Sequence, residues 1–129
     1  WREVFEVNVY APLRVAQAFL PNLEAGSGRK IATISSRMGS LGGNPSGAIA
    51  YRSSKAAVNM VMVAFGNAVR ASEIAVLLFH PGWVQTDMGG GGADIPATES
   101  AAGLIETVDA SGMAQTNSFR TWKGETIPW

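Results

Sequence analysis

The feature that most constrains this chain is Ile74-Ala75-Val76-Leu77-Leu78-Phe79, an uninterrupted apolar run closed by His80-Pro81-Gly82. Its length suits a strand and is short for a helix. No polar residue alternates into it, so both faces need cover. That is the condition of a strand inside a parallel sheet packed between helices. Lys30 to Ser35, after the turn Gly26-Ser27-Gly28, reads as a second strand. A long helix is predicted over about 48–71, between the two strands. A weaker helix over about 98–109 follows, and a final short strand is predicted within Ser118 to Trp129. Residues 1–24 read as a helix, because Val4, Asn8, Ala11, Val15 and Phe19 keep helical spacing. Residues 37–47, with four glycines and a proline, and residues 87–98, with Gly89 to Gly92 consecutive, read as loops. Strand, helix, strand, helix is the grammar of an α/β doubly wound parallel sheet. Ligands of such sheets bind beyond the carboxyl ends of the strands. Ser35-Ser36 and His80-Pro81-Gly82 fall at two such ends, and the start of the 48–71 helix must lie near them.

The composition narrows the function. A chain of 129 residues makes one modest domain, and 47% hydrophobic with 16% charged residues is a globular balance. The formal net charge is zero, which favours neither nucleic acid nor an anionic membrane as partner. There is no cysteine, so disulfides and thiolate chemistry are out. His80 is the only histidine, so a metal centre of His and Cys is not expected and packing at a strand end is its expected role. A Ser-His-Asp hydrolase would need a G-x-S-x-G elbow, which the sequence lacks. No apolar run approaches the ~20 residues of a membrane span, and no signal-peptide pattern opens the chain. A cytoplasmic location is the expectation. The chain starts at Trp1 in what reads as mid-helix, without a capping residue, and is expected to be part of a longer protein.

The chemistry concentrates in Tyr51-Arg52-Ser53-Ser54-Lys55. A free phenol titrates near ~10 and is a poor base at neutral pH. An ammonium one helical turn on lies on the same face and favours the phenolate. A nearby hydroxyl such as Ser36 could hold a substrate oxygen, which makes a proton relay for carbonyl and alcohol chemistry. Tyr-x-x-x-Lys also arises by chance on solvated helices. Here Tyr51, Lys55, Val58, Met62, Phe65 and Val69 form one stripe, apolar after its first two members, so the pair begins an inward face. A lysine there is costly without a partner. The other side of the helix, with Ala56, Val63, Ala64 and Asn67, allows a subunit interface without demanding one. Upstream, Pro12 has no N–H for the carbonyl of Asn8, four residues back, so the first helix should kink there and leave that carbonyl free.

Four segments in this order resemble the short-chain dehydrogenase/reductase family: Phe5-Glu6-Val7-Asn8-Val9, Ile34-Ser35-Ser36, Tyr51-x-x-x-Lys55, and Pro81-Gly82-Trp83-Val84-Gln85-Thr86. They span nearly the whole chain. Ser35 to Ser40, Tyr51 to Ala57, His80 to Val84 and Ile127 to Trp129 are similar to the carbonyl-reductase-like branch of sniffer and C-factor proteins. The resemblance implies an NAD(P)-dependent carbonyl reductase or alcohol dehydrogenase with a Rossmann-like fold and a small carbonyl or alcohol substrate. It implies that Tyr51 is the general acid/base and that Lys55 assists it and binds the nicotinamide ribose. Ser36, in preference to its neighbour Ser35, would polarise the substrate oxygen. Asn8 would hold a water through its backbone carbonyl. By the same resemblance Tyr51, Lys55, Pro81, Gly82, Val84 and Thr86 contact NADP or NAD, the last at a phosphate. Gly89 to Gly92 read as a flexible turn, for which the resemblance implies the alternative of a mobile loop over the substrate; Trp83, Trp122 and Trp129 are candidates either for its apolar wall or for ordinary core or edge packing.

One departure stands out. The family grips the dinucleotide diphosphate with a glycine-rich turn after its first strand. No glycine cluster here has that placement. The chain is therefore expected to be the C-terminal catalytic part of a single domain, lacking the first βαβαβ half, and to bind dinucleotide poorly by itself. A non-enzymatic, C-factor-like signalling or interaction protein reusing the fold is the alternative.

Overall fold

A computed structural model describes residues 1–43 and 45–129. The uninterrupted run becomes β2 (Ala75–His80), whose first five residues are buried. It lies between β1 (Lys30–Ile34) and β5 (Ser118–Thr121), parallel to both, in the order β1-β2-β5. Register is set at Lys30 opposite Ala75 and Leu77 opposite Ser118. β1 and β2 start and stop within one residue of the sequence expectation, and β5 falls within the segment expected to hold the last strand. Ser35 just outlasts β1, its N–H still donating to the Phe79 carbonyl at 2.7 Å.

The connection from β1 to β2 is α4 (Ile49–Ala68), and from β2 to β5 it is α5 (Ala97–Asp109). Val58, Met62 and Val69 from the α4 segment meet Val76, Leu78 and Phe119 in the main core, with Met62, Val76 and Leu78 fully buried. At ~25 cal/mol per Å² of apolar surface, this packing supplies the chief drive to fold. Ser54, Asn59 and Gly66 are buried on α4 as well, so its inward face is broader than the expected apolar stripe. Lys30 reaches α5, its Nζ donating to the carbonyls of Val108 and Asp109 at 3.0 and 2.9 Å, in the last turn of the helix.

The N-terminal helix is divided. α1 (Arg2–Phe5) leads into a π-helical turn (Glu6–Tyr10), then α2 (Ala11–Ala18), and α3 (Leu20–Ala25) follows a break at Phe19. The disruption expected from Pro12 thus takes the form of a wide turn: the Ala11 N–H bonds the carbonyl of Glu6, five residues back. Two short strands escaped the sequence reading. β3 (Val84–Gln85) and β4 (Ile95–Pro96) pair in parallel and pin the ends of the glycine-rich loop. Two residues per strand carry no detectable period. Among the described residues, no helix is long and apolar enough to cross a membrane.

β1 is the edge of its sheet, and Ala32 and Ile34 are exposed, the latter at 47%. An apolar groove of about 760 Å³ runs along it, walled by Val15, Phe19, Leu23 and Ile31.

Candidate functional site

A cavity of about 1040 Å³ opens beyond the carboxyl ends of β1 and β2, where a parallel sheet offers its ligand site. Ser36, Tyr51, Pro81, Gly82, Val84 and Thr86 all line it. Ser36 stands just after β1, Tyr51 in the first turn of α4, and Pro81 just after β2.

The two adjacent serines have different surroundings. Ser35 Oγ donates to Asn59 Oδ1 at 2.5 Å, a buried bond that fastens the end of β1 to α4. Ser36 caps a 3-10 turn (Arg37–Gly39), and its Oγ accepts the Met38 N–H at 3.1 Å. A hydroxyl has one proton and two acceptor sites. The cap uses an acceptor site, so the Ser36 proton remains available to a ligand.

Lys55 lies one turn behind Tyr51, its Nζ 5.7 Å from the phenol ring centroid, within cation–π range. Nζ also donates to the Ile34 carbonyl at 3.2 Å. Burial pushes the Lys55 amine below its ordinary value. Gly39 makes this arrangement possible. A Cβ there would lie 2.7 Å from the Lys55 carbonyl carbon, so the 3-10 turn packs directly on the α4 backbone.

Asn8 joins the site through a relay. Its Nδ2 donates to Ser54 Oγ at 3.0 Å, and Ser54 Oγ donates to the Tyr51 carbonyl at 2.8 Å. Ser54 is fully buried, so this polar chain is enclosed. The sequence reading missed Ser54 because it sits inside the Tyr-x-x-x-Lys spacer, with nothing to separate it from Ser53.

Thr86 and Val84 are tied into their own loop. Thr86 Oγ1 accepts the Gly89 N–H at 3.1 Å, and the Thr86 carbonyl accepts from Gly90 at 2.8 Å. Trp83 Nε1 donates to the Gly89 carbonyl at 3.0 Å, so the start of the glycine run is a fastened turn. Trp83 lines the cavity. Trp122 instead packs against Gly82 and Gly103, and Trp129 stacks on Phe119 at 5.4 Å. Ser100, unremarked in the sequence, donates to the Pro81 carbonyl at 2.6 Å and anchors α5 to the turn after β2. His80 also lines the cavity, and its Nδ1 is buried without a partner. Desolvation, and then the charge of Arg37, hold His80 below its ordinary value.

Comparison with known proteins places the chain in a family. The profile of the short chain dehydrogenase family matches residues 1–94. The C-signal of Myxococcus xanthus is 43% identical over 126 residues, covering 97% of this chain and 76% of that protein. The 1-hydroxy-2-glutathionyl-2-methyl-3-butene dehydrogenase of Rhodococcus sp. (strain AD45) is 38% identical over 133 residues, covering 99% of this chain and 58% of that one. Among solved structures, the carbonyl reductase Sniffer of D. melanogaster superposes with a TM-score of 0.90 at 31% identity, over 97% of this chain and 55% of its own. The NADPH-bound carbonyl reductase from chicken fatty liver gives 0.91 at 34%, over 99% and 56%. The chain thus spans a little over half the length of these solved relatives.

Proposed function

This chain belongs to the short-chain dehydrogenase family, and from that premise we propose that it is the catalytic part of an NAD(P)-dependent carbonyl reductase in which Tyr51 exchanges a proton with the substrate oxygen. The observation that carries the reading is the meeting of Tyr51 and Ser36 on one cavity, with Lys55 one turn behind the phenol.

In the direction of reduction, the Tyr51 hydroxyl gives its proton to the carbonyl oxygen as negative charge develops there. Ser36 donates a hydrogen bond to the same oxygen with the proton its cap leaves free. The positive charge of Lys55 stabilises the negative charge left on the phenol oxygen. The link from Asn8 through Ser54 to the Tyr51 carbonyl holds the first turn of α4 in place. The carbonyl of Asn8, to which Pro12 can offer no N–H, is assigned a water for proton refill.

A nicotinamide dinucleotide, when bound, would supply the hydride equivalent that reduces the carbonyl carbon. The residues fit its nicotinamide-ribose end. An ammonium has three donors, and Lys55 uses one on Ile34, leaving two for ribose hydroxyls. Pro81, Gly82 and Val84, which line the cavity, would supply the wall beside the ring. Thr86 would reach a phosphate by releasing its bond to Gly89. For the rest of the diphosphate, no glycine-rich turn at a helix N-terminus follows β1 among the described residues. A small carbonyl substrate and a cytoplasmic setting complete the reading.

The likeness to the C-signal favours a second reading, a signalling or interaction protein that reuses the fold. Binding a partner requires no aligned Ser36, Tyr51 and Lys55, so the enzyme reading ranks first. The test is carbonyl reduction by the full-length protein and its Tyr51→Phe variant, with NADPH and NADH affinity measured by fluorescence titration. The variant should lose at least about 100-fold in turnover, the scale of a general acid, and keep its cofactor affinity. Equal turnover by both proteins would overturn the role of Tyr51. Absence of both turnover and cofactor binding in the parent would favour the second reading.

A further inference from the structure

The charge of the cavity is one-sided. Arg37 and Arg52 both line it, and no aspartate or glutamate does among the described residues. The ion pair found among those residues lies elsewhere, between Arg14 and Glu6, so neither cavity guanidinium has a carboxylate within 4.0 Å. The two arginines are not equivalent. Arg52 is committed to holding the loop, with Nε donating to the Ser46 carbonyl at 3.1 Å and Nη1 to that of Met38 at 3.5 Å. Arg37 makes no side-chain hydrogen bond among the described residues, is exposed, and immediately follows Ser36. His80 adds a buried Nδ1 without a partner on the same wall.

Resting on the carbonyl-reductase reading above, we propose that the substrate carries an anionic group, a carboxylate or its equivalent, which Arg37 engages while Ser36 and Tyr51 engage the carbonyl. A planar guanidinium with five donors and no partner fits a carboxylate in two parallel hydrogen bonds. Arg37 and Ser36 line the same cavity, so the cation and the hydroxyl can face one ligand. The positive charge of Arg52 adds to the field without contacting the ligand. The same cavity leaves room for the apolar body of the substrate along Trp83 and Leu104.

The test compares 4-carboxybenzaldehyde with methyl 4-formylbenzoate, which share ring and aldehyde and differ in charge. Reduction by the full-length protein at saturating cofactor is paired with calorimetric binding of the alcohols that correspond to the two aldehydes. The acid should be preferred in kcat/KM and in affinity. Arg37→Gln should remove about tenfold or more of that preference, the scale of a hydrogen bond to a charged group, with the ester little changed. Arg37→Lys should restore part of it. Equal handling of acid and ester by the parent would overturn the proposal, and so would an equal loss for both in Arg37→Gln. Weakened cofactor affinity in that variant with an unchanged acid-to-ester ratio would overturn it too, by assigning the guanidinium to a cofactor phosphate. Preferential binding of the carboxylate without turnover of either aldehyde would support the anion site and count against the reductase reading.

Discussion

At the scale of single residues, electrostatics at the cavity can be read from one probe. His80 is the only histidine of the chain, and both burial and Arg37 hold its imidazole neutral below the ordinary 6.5. Between that lowered value and 6.5 the unfolded chain binds more protons than the folded one. Stability contributed through His80 is therefore complete above 6.5 and falls as pH drops through that interval to the folded-state value. Replacing Arg37 by Gln removes the charge and leaves the burial. The titration of His80, followed by NMR, should move part of the way back towards 6.5. An unmoved midpoint would show that the two side chains do not sense each other. The neighbouring serines show what residue-level reading can reach. Their sequence context places both at a strand end, and the family resemblance favours the second. Only the partner of each, Asn59 for Ser35 and Met38 N–H for Ser36, separates a fastener from a donor free to act.

At the scale of elements, the helix α4 was the most legible feature, because twenty residues of periodic pattern outweigh local noise. The π turn before Pro12 was legible as a disruption but not as to kind, since the missing N–H is a sequence property and the ladder's response is not. The 3-10 turn after β1 was hidden among four loop glycines that look alike. Gly39 differs from the others in what it touches: a Cβ would stand 2.7 to 2.9 Å from backbone and Cβ atoms of Lys55. Backbone there cannot yield as a flexible side chain can. Gly39→Ala should therefore cost about 1–3 kcal/mol, as overpacking does, measured by urea denaturation. It should also lower turnover by shifting the Lys55 turn. A Gly42→Ala control, whose nearest contact is 3.5 Å away, should change stability little. If both substitutions behave alike, close approach at Gly39 is not what the site depends on.

At the scale of the whole molecule, the parallel sheet ends in a strand paired on one side only among the described residues. β1 presents a free edge, and Val15, Phe19 and Ile34 stay exposed along its groove. An apolar edge of this kind is prone to pair with another chain. The 129-residue chain should therefore lose solubility as its concentration rises, and Ile34→Lys should restore it, as followed by light scattering. Aggregation that ignores the substitution would move the liability elsewhere. The succession of strands and helices, the parallel class of the sheet and the rim on which the candidate site residues gather were determined by the sequence itself. Hydrophobic period, strand length and terminating glycine or proline are local properties that the chain carries before it folds. The division of labour between Ser35 and Ser36, the Asn8–Ser54–Tyr51 link, the diversion of Trp122 and Trp129 from the cavity, and the absence of a side-chain partner for Arg37 among the described residues were decided by tertiary structure. Each of these depends on which partner a side chain meets once the chain has folded, or on the partner it fails to meet, and hydrophobic period and turn signals do not encode that encounter.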